Sequence, residues 1–122
     1  MADSYDVIVL GAGPTGENVA DRAVRGGLTA GRAVRVVDCE IGNAAGAKLF
    51  EDGYTGHAQM VVDENSETIV GMTLAGSGVG EMIHAATIAI AGEVPLDRLW
   101  HAVPSFPTMS EVWLRLLEAY GL

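Results

Sequence analysis

The order of apolar and polar runs along the chain predicts its architecture. Residues 5–10 are rich in β-branched side chains and end at a glycine, which is typical of a strand buried on both faces. Residues 17–25 place apolar side chains at helical spacing, and two glycines then stop the predicted helix. Residues 33–37 form a further apolar run. The N-terminal part therefore predicts a strand, a glycine turn, a helix and a second strand.

The middle of the chain predicts a β-hairpin followed by a helix. Residues 57–63 and 68–75 are two apolar runs separated by four polar residues, a link short enough for antiparallel pairing. Residues 79–91 are apolar almost all round, so the helix that they predict must be covered on most sides. The glycine-, alanine- and asparagine-rich residues 41–47 predict an irregular connection.

Two more helices are predicted towards the C-terminus. Pro95 suits the first turn of a short helix through Trp100. Residues 108–111 fit a capping box, in which Thr108 is the N-cap and Glu111 folds back to it, ahead of an apolar stripe. The whole pattern predicts an α+β fold, an antiparallel sheet with flanking helices, preceded by a Rossmann-like βα fragment.

Composition and charge narrow the classes of partner. The chain has 122 residues, of which 49% are hydrophobic and 19% charged, enough apolar material for one core. Its net charge of −9 repels phosphate groups and anionic membrane surfaces, so we expect neither nucleic acid nor membrane as a partner. Asp3 and Asp6 stand where a signal peptide has basic residues, and no apolar stretch could span a bilayer, so we expect a cytoplasmic location.

A candidate dinucleotide site lies at the first glycine turn. A glycine turn between a buried strand and a helix lets a pyrophosphate approach the backbone at the positive end of the helix. The candidate binding residues of this turn are Gly11, Gly13, Pro14, Thr15 and Gly16. Asp38 or Glu40, about 20 residues further on, could hold the ribose hydroxyls. The alternative is that both are ordinary carboxylates at a strand end of an acidic protein.

The other candidate chemistry is weaker. Residues 76–80 form a second glycine turn that could hold a phosphate, but the strand before it belongs to the predicted hairpin, so a structural turn is the better interpretation. His57, His84 and His101 show no ligand-like spacing, and no metal site is predicted. Cys39 is the single cysteine, so it can form neither an internal disulfide nor a dithiol redox pair.

Two stretches of the sequence resemble opposite ends of one enzyme family. YDVIVLGAGPTG followed by ENVADRAVRGG resembles the opening of class I pyridine nucleotide-disulfide oxidoreductases, the family of lipoamide dehydrogenase, mercuric reductase and glutathione reductase. The remainder resembles the C-terminal dimerisation domain of that family, through GHAQMVVDENSETIVGMTLAGSGVGEMIHAATIAI, LDRLW and FPTMSE. The resemblance implies a truncated FAD-binding βα unit at residues 1–30 and a dimerisation domain at residues 31–122. It also places Asp38 in the sheet of the dimerisation domain.

The resemblance implies a function and the loss of part of it. Enzymes of this family pass a hydride from a nicotinamide to FAD and then electrons to a disulfide or a metal. Here the redox cysteine pair and the NAD(P)-binding domain are missing, and Phe106 stands where the family has a histidine, oriented by a glutamate at the position of Glu111. Because a phenyl ring cannot exchange protons, acid-base catalysis at that position is lost.

Two interpretations of the function follow. We expect a homodimerisation module that is inactive alone, made from two ends of a larger flavoenzyme. The alternative is a small protein that still binds FAD or another dinucleotide through the first glycine turn and Asp38, with residual oxidoreductase function. Whether the chain is an enzyme stays open.

Overall fold

The computed structural model describes residues 34–122, which form a three-stranded antiparallel sheet packed against helices. The Rossmann-like fragment predicted for the N-terminal part lies outside these residues. The strands are β1 (Val34–Glu40), β2 (Gly56–Asp63) and β3 (Thr68–Gly76). The α-helices of the described part are α1 (Ala45–Phe50), α2 (Ile83–Ala91), α3 (Leu96–Trp100) and α4 (Glu111–Tyr120), with 3-10 turns at Ile41–Asn43 and Val79–Glu81. The predicted α+β class and the antiparallel sheet with flanking helices are confirmed.

The sheet has the order β1-β2-β3, and β2 and β3 form the predicted hairpin. The pairing of β2 with β3 is interrupted once. Val61 lies opposite Gly71 while Val62 lies opposite Ile69, so Val70 is an extra residue in β3 and forms a β-bulge. The strand predicted at residues 33–37 is present but continues to Glu40, because each of its last residues keeps a partner on β2.

The core lies between one face of the sheet and the helices. α2 packs mainly on β3 and α4 mainly on β1, which leaves the opposite face of the sheet without a helical layer in the described part of the chain. Full burial of a large apolar side chain contributes about 1.5–3 kcal/mol. The largest fully buried side chains are Ile41, Met60, Met72, Leu74, Leu96, Leu116, Val62 and Val112. At the rim of the core, the Arg35 guanidinium on β1 lies 4.7 Å from the centre of the Tyr120 ring on α4, and this cation–π contact connects the two elements.

The connection after β1 is more regular than its composition predicts. Residues 41–47 form a 3-10 turn and the first half of α1. Ala44 occupies the N-cap of α1 and offers no side-chain cap, so the helix has no local start signal. Ile41, Ala44 and Ala47 are buried in the core, and this packing orders the segment.

Candidate functional site

The turn between α3 and α4 carries two exposed large apolar side chains. Val103 is 79% exposed and Phe106 is 76% exposed. The Phe106–Pro107 peptide bond is cis, and the Thr108 hydroxyl donates to the Ser105 carbonyl oxygen at 2.6 Å. The turn therefore has a backbone closed by its own hydrogen bond and presents apolar groups outwards.

Glu111 fastens this turn to α1. Its side chain is 4% exposed, and Oε2 accepts a hydrogen bond from the Gly46 backbone N–H at 2.9 Å. Gly46 lies so close to Thr108 that a Cβ on the glycine would overlap the Thr108 backbone. The predicted capping box is therefore wrong: Ser110 is the N-cap of α4, and no side chain caps it. The physical reason is competition, because the Gly46 N–H takes the Glu111 carboxylate that a capping box would use.

An apolar groove lies between α2, the chain after α3, and α4. Its volume is about 230 Å³, large enough for a side chain of a second molecule. The lining residues are Ala85, Ala89, Leu99, Ala102, Pro104, Ser110, Trp113 and Leu117. None of these lining residues is ionisable. Residues 34–122 as a whole contain four Lys and Arg and twelve Asp and Glu, which gives a formal charge of −8. The groove is thus a neutral surface on an acidic protein.

The helix α2 is less covered than its sequence predicts. Only Ala86 and Ala89 of this helix are buried, and Ile88 is 59% exposed. Ile88 lies one turn along α2 from the groove residue Ala85, and Val103 lies between two groove residues. Ile88, Val103 and Phe106 each lie within two positions of a groove residue in the sequence, and we call these three residues and the groove together the apolar surface. Residues 34–122 therefore do not provide the burial on most sides that the apolar sequence of this helix predicts.

A polar cluster lies on the sheet face opposite the helices. His57 Nε2 lies 2.8 Å from Asp38 Oδ1, and His57 Nδ1 lies 3.1 Å from Glu40 Oε1. These hydrogen bonds, to Asp38 first and Glu40 second, raise the pKa of His57 above its ordinary 6.5. Gln59 donates to the same Asp38 oxygen at 3.0 Å. Sequence reasoning missed this cluster, since only the register that sets Glu40 opposite His57 reveals it.

The predicted dinucleotide residues divide between two parts of the chain. Gly11, Gly13, Pro14, Thr15 and Gly16 lie outside the described residues, so the first glycine turn stays a prediction. Asp38 lies on β1 of the antiparallel sheet, as the resemblance implied, where His57 and Gln59 bind its carboxylate. Its role in holding a ribose also stays a prediction.

The second glycine turn is filled by aromatic side chains. The Tyr54 hydroxyl donates to the Ser77 carbonyl oxygen at 2.6 Å, and the Phe50 ring lies where a Cβ on Gly78 would project. Gly78 has a φ of 71°, in the left-handed region that glycine enters without strain. Because Phe50 and Tyr54 pack on this turn, the structure supports the interpretation of residues 76–80 as a structural turn.

Cys39 has a low reactivity in this fold. Burial, followed by the negative charges of Glu40 and Asp38, raises the pKa of its thiol from 9.0 to about 11. The thiolate is therefore a minor species near neutral pH. Within residues 34–122, no group of three His, Cys, Asp or Glu side chains is arranged to hold a metal ion. None of the helices in the same range is long and apolar enough to cross a membrane.

Solved structures with the same fold are flavoprotein reductases. The HOCl-induced flavoprotein disulfide reductase RclA from Escherichia coli matches 74% of this chain with a TM-score of 0.67 and 22% identity. The Cu(II) complex of the same reductase matches 80% of the chain with a TM-score of 0.68 and 21% identity. This chain covers only 20% and 21% of the length of those two chains. At this level of identity the match shows the fold alone.

Sequence comparison identifies the family. No curated protein sequence shows significant similarity to this chain. The family described as pyridine nucleotide-disulphide oxidoreductase, dimerisation domain, matches residues 27–117, which is well over half of the chain. This match includes the sheet, α1 to α3, most of α4 and every residue of the apolar surface. The chain therefore belongs to the pyridine nucleotide-disulphide oxidoreductase family, through its dimerisation domain.

Proposed function

We propose that the chain acts by self-association, forming a symmetric homodimer through the apolar surface as the dimerisation module of a flavin-dependent oxidoreductase. The exposure of Ile88 on a helix that is apolar almost all round is the observation that supports this most directly. A large exposed apolar side chain beside an apolar groove is typical of an interaction site. The family match to a dimerisation domain supports a second copy of this chain as the partner.

The distribution of charge also supports self-association through the apolar surface. Two copies with a charge of −9 each repel one another over most of their surface. Burying a carboxylate without a partner would cost free energy on association. The groove has no ionisable lining residue, so two copies can meet there without burying acidic groups.

We infer that this chain alone supplies assembly rather than redox chemistry. Thiol relay needs two cysteines within reach, and Cys39 is the single cysteine of the chain, with a thiol that stays protonated at neutral pH. The turn that would carry the family's histidine has Phe106 instead, and Glu111 there binds a backbone N–H. Hydride transfer would then depend on parts of an enzyme that these residues do not provide.

FAD binding is a second candidate function, favoured by the glycine pattern at residues 11–16 and by the family. FAD would supply the hydride acceptor, and the glycine turn would hold its pyrophosphate. The flavin absorbance of the purified protein and calorimetry with FAD test this. A purified protein that shows no flavin absorbance and gives no heat of binding with FAD would exclude this function.

Sedimentation velocity over a range of micromolar concentrations tests the homodimer. We expect the wild-type chain to be a dimer and Ile88→Glu to be a monomer, because a carboxylate at that position would be desolvated in the interface. Val36→Glu is the matched control, since Val36 is 48% exposed on the opposite face of the sheet. A monomeric wild type, or equal dissociation by both variants, would contradict the proposal.

A further inference from the structure

We propose that Glu111 is a positioning residue for the dimer contact. By holding Gly46 of α1, its carboxylate fixes the turn of residues 105–110, and with it Phe106, in the orientation that a second copy meets. This inference rests on the self-association proposed above.

Three contacts fix this turn on both sides of Phe106. The Thr108 hydroxyl donates to the Ser105 carbonyl oxygen and closes the turn. The Thr108 backbone lies in direct contact with Gly46, at a distance that only a glycine permits. Glu111 then binds the N–H of the same Gly46, from inside the core. The backbone is therefore held while the phenyl ring projects outwards with 76% of its surface exposed.

This arrangement fits an interface contact better than a core contact. A side chain on an ordered backbone loses less conformational entropy when it binds than one on a mobile segment. Phe106 follows the groove residue Pro104 by two positions and precedes the groove residue Ser110 by four, so it lies on the turn that joins two groove residues. The family match includes residues 105–111 in the dimerisation domain, and the neutral groove beside them suits a second copy of an acidic chain.

The chemistry of Glu111 in this role is that of a hydrogen-bond acceptor. A carboxylate offers only acceptor atoms, and the amide of glutamine retains one acceptor oxygen at nearly the same position. Glu111→Gln should therefore keep the bond to Gly46, whereas Glu111→Ala leaves the Gly46 N–H buried without a partner. The dimer contact should distinguish these two variants.

The test is a double-mutant cycle on the full chain, with dimer dissociation constants from sedimentation and urea unfolding measured in parallel. We expect Glu111→Gln to bind within about threefold of wild type, and Glu111→Ala and Phe106→Ala each to weaken the dimer about tenfold, which is about 1.4 kcal/mol. If Glu111 acts by placing Phe106, the double variant Glu111→Ala with Phe106→Ala should be no weaker than Phe106→Ala alone. A merely structural role would lower the unfolding free energy without this coupling.

The outcomes separate this inference from the proposed homodimer. A monomeric wild type would refute the homodimer itself. The role of Glu111 alone would be overturned if Ile88→Glu dissociates the dimer while Glu111→Ala keeps the wild-type dissociation constant. Additive losses in the double variant would overturn it in the same way. If Glu111→Ala does not fold, Thr108→Val replaces it, since it removes the bond to Ser105 and leaves Glu111 intact. It should weaken the dimer several-fold, and a wild-type value would overturn the inference.

Discussion

The contact of Gly46 with Thr108 leads to a sharp prediction for Gly46→Ala. Gly46 lies in the first turn of α1, where alanine would normally stabilise the helix by up to about 1 kcal/mol. Here a Cβ would overlap backbone atoms of Thr108, which cannot swing aside as a flexible side chain would. The substitution should therefore separate α1 from the turn before α4 and stretch the hydrogen bond to Glu111.

The cost can be worked from these two contacts. Overpacking a tight site costs about 1–3 kcal/mol, and a buried backbone N–H that loses its partner costs about 1–3 kcal/mol more. After subtracting the helix gain, we expect Gly46→Ala to lower the free energy of unfolding by about 1–5 kcal/mol. A domain of this size loses about 4–8 °C of Tm for each kcal/mol, so Tm should fall by at least about 4 °C.

Urea unfolding followed by circular dichroism measures this loss. All variants are compared at one protein concentration, because the proposed self-association would itself stabilise the fold. Gly80→Ala is the matched control, since no atom lies within 4 Å of the Cβ it would add. It should leave stability unchanged or raise it by about 0.4–1 kcal/mol, through the entropy of the unfolded chain. If Gly46→Ala stays within about 0.5 kcal/mol of wild type, the range of a substitution that disturbs no packing, the packing argument for the turn fails.

Two further predictions concern the sheet. Because the pKa of His57 is raised in the folded chain, its contribution to stability is complete below the ordinary pKa of 6.5 and is lost as pH rises through the folded pKa. His57→Gln should therefore lower the free energy of unfolding by about 1 kcal/mol at most, since the pair is exposed. This loss should shrink between pH 6 and pH 9. Exposed His84→Gln is the control, and a deficit that grows with pH would contradict the sign. Cys39 should react with iodoacetamide at pH 8 at least about tenfold more slowly in the folded chain than in urea. The fold raises the pKa of the thiol from 9.0 to about 11 and so lowers the fraction of reactive thiolate. This loss outweighs the higher reactivity of a more basic thiolate. Equal rates would show that burial does not protect the thiol.

Local sequence patterns were enough for most elements of the fold. The hairpin was predictable because its two apolar runs and polar link are contiguous in sequence. The helix through Trp100 was predictable because Pro95 determines where it starts. Residues 41–47 were not, since nothing local starts α1 and its order comes from burial of Ala44 and Ala47 against distant residues.

The candidate site depended on contacts that sequence does not reveal. Glu111 has the spacing of a capping residue, and only the folded chain brings Gly46, 65 positions away, to compete for its carboxylate. The His57 cluster likewise needs the register of β1 on β2, which two apolar strands do not specify by themselves. The apolar character of α2 was evident, but which side remains exposed depends on how β3 covers it.

The β-bulge at Val70 protects the outer edge of β3 from pairing with a strand of another molecule. In the described part of the chain β3 has one strand neighbour, so its other edge is a possible template for intermolecular sheet growth. An extra residue bends and twists that edge and breaks the regular spacing of its donors and acceptors. At its start, Thr68 is bridged to Pro95, a residue without an N–H to extend a ladder. Deleting Val70 should therefore straighten the strand and promote fibrillar aggregation through this edge.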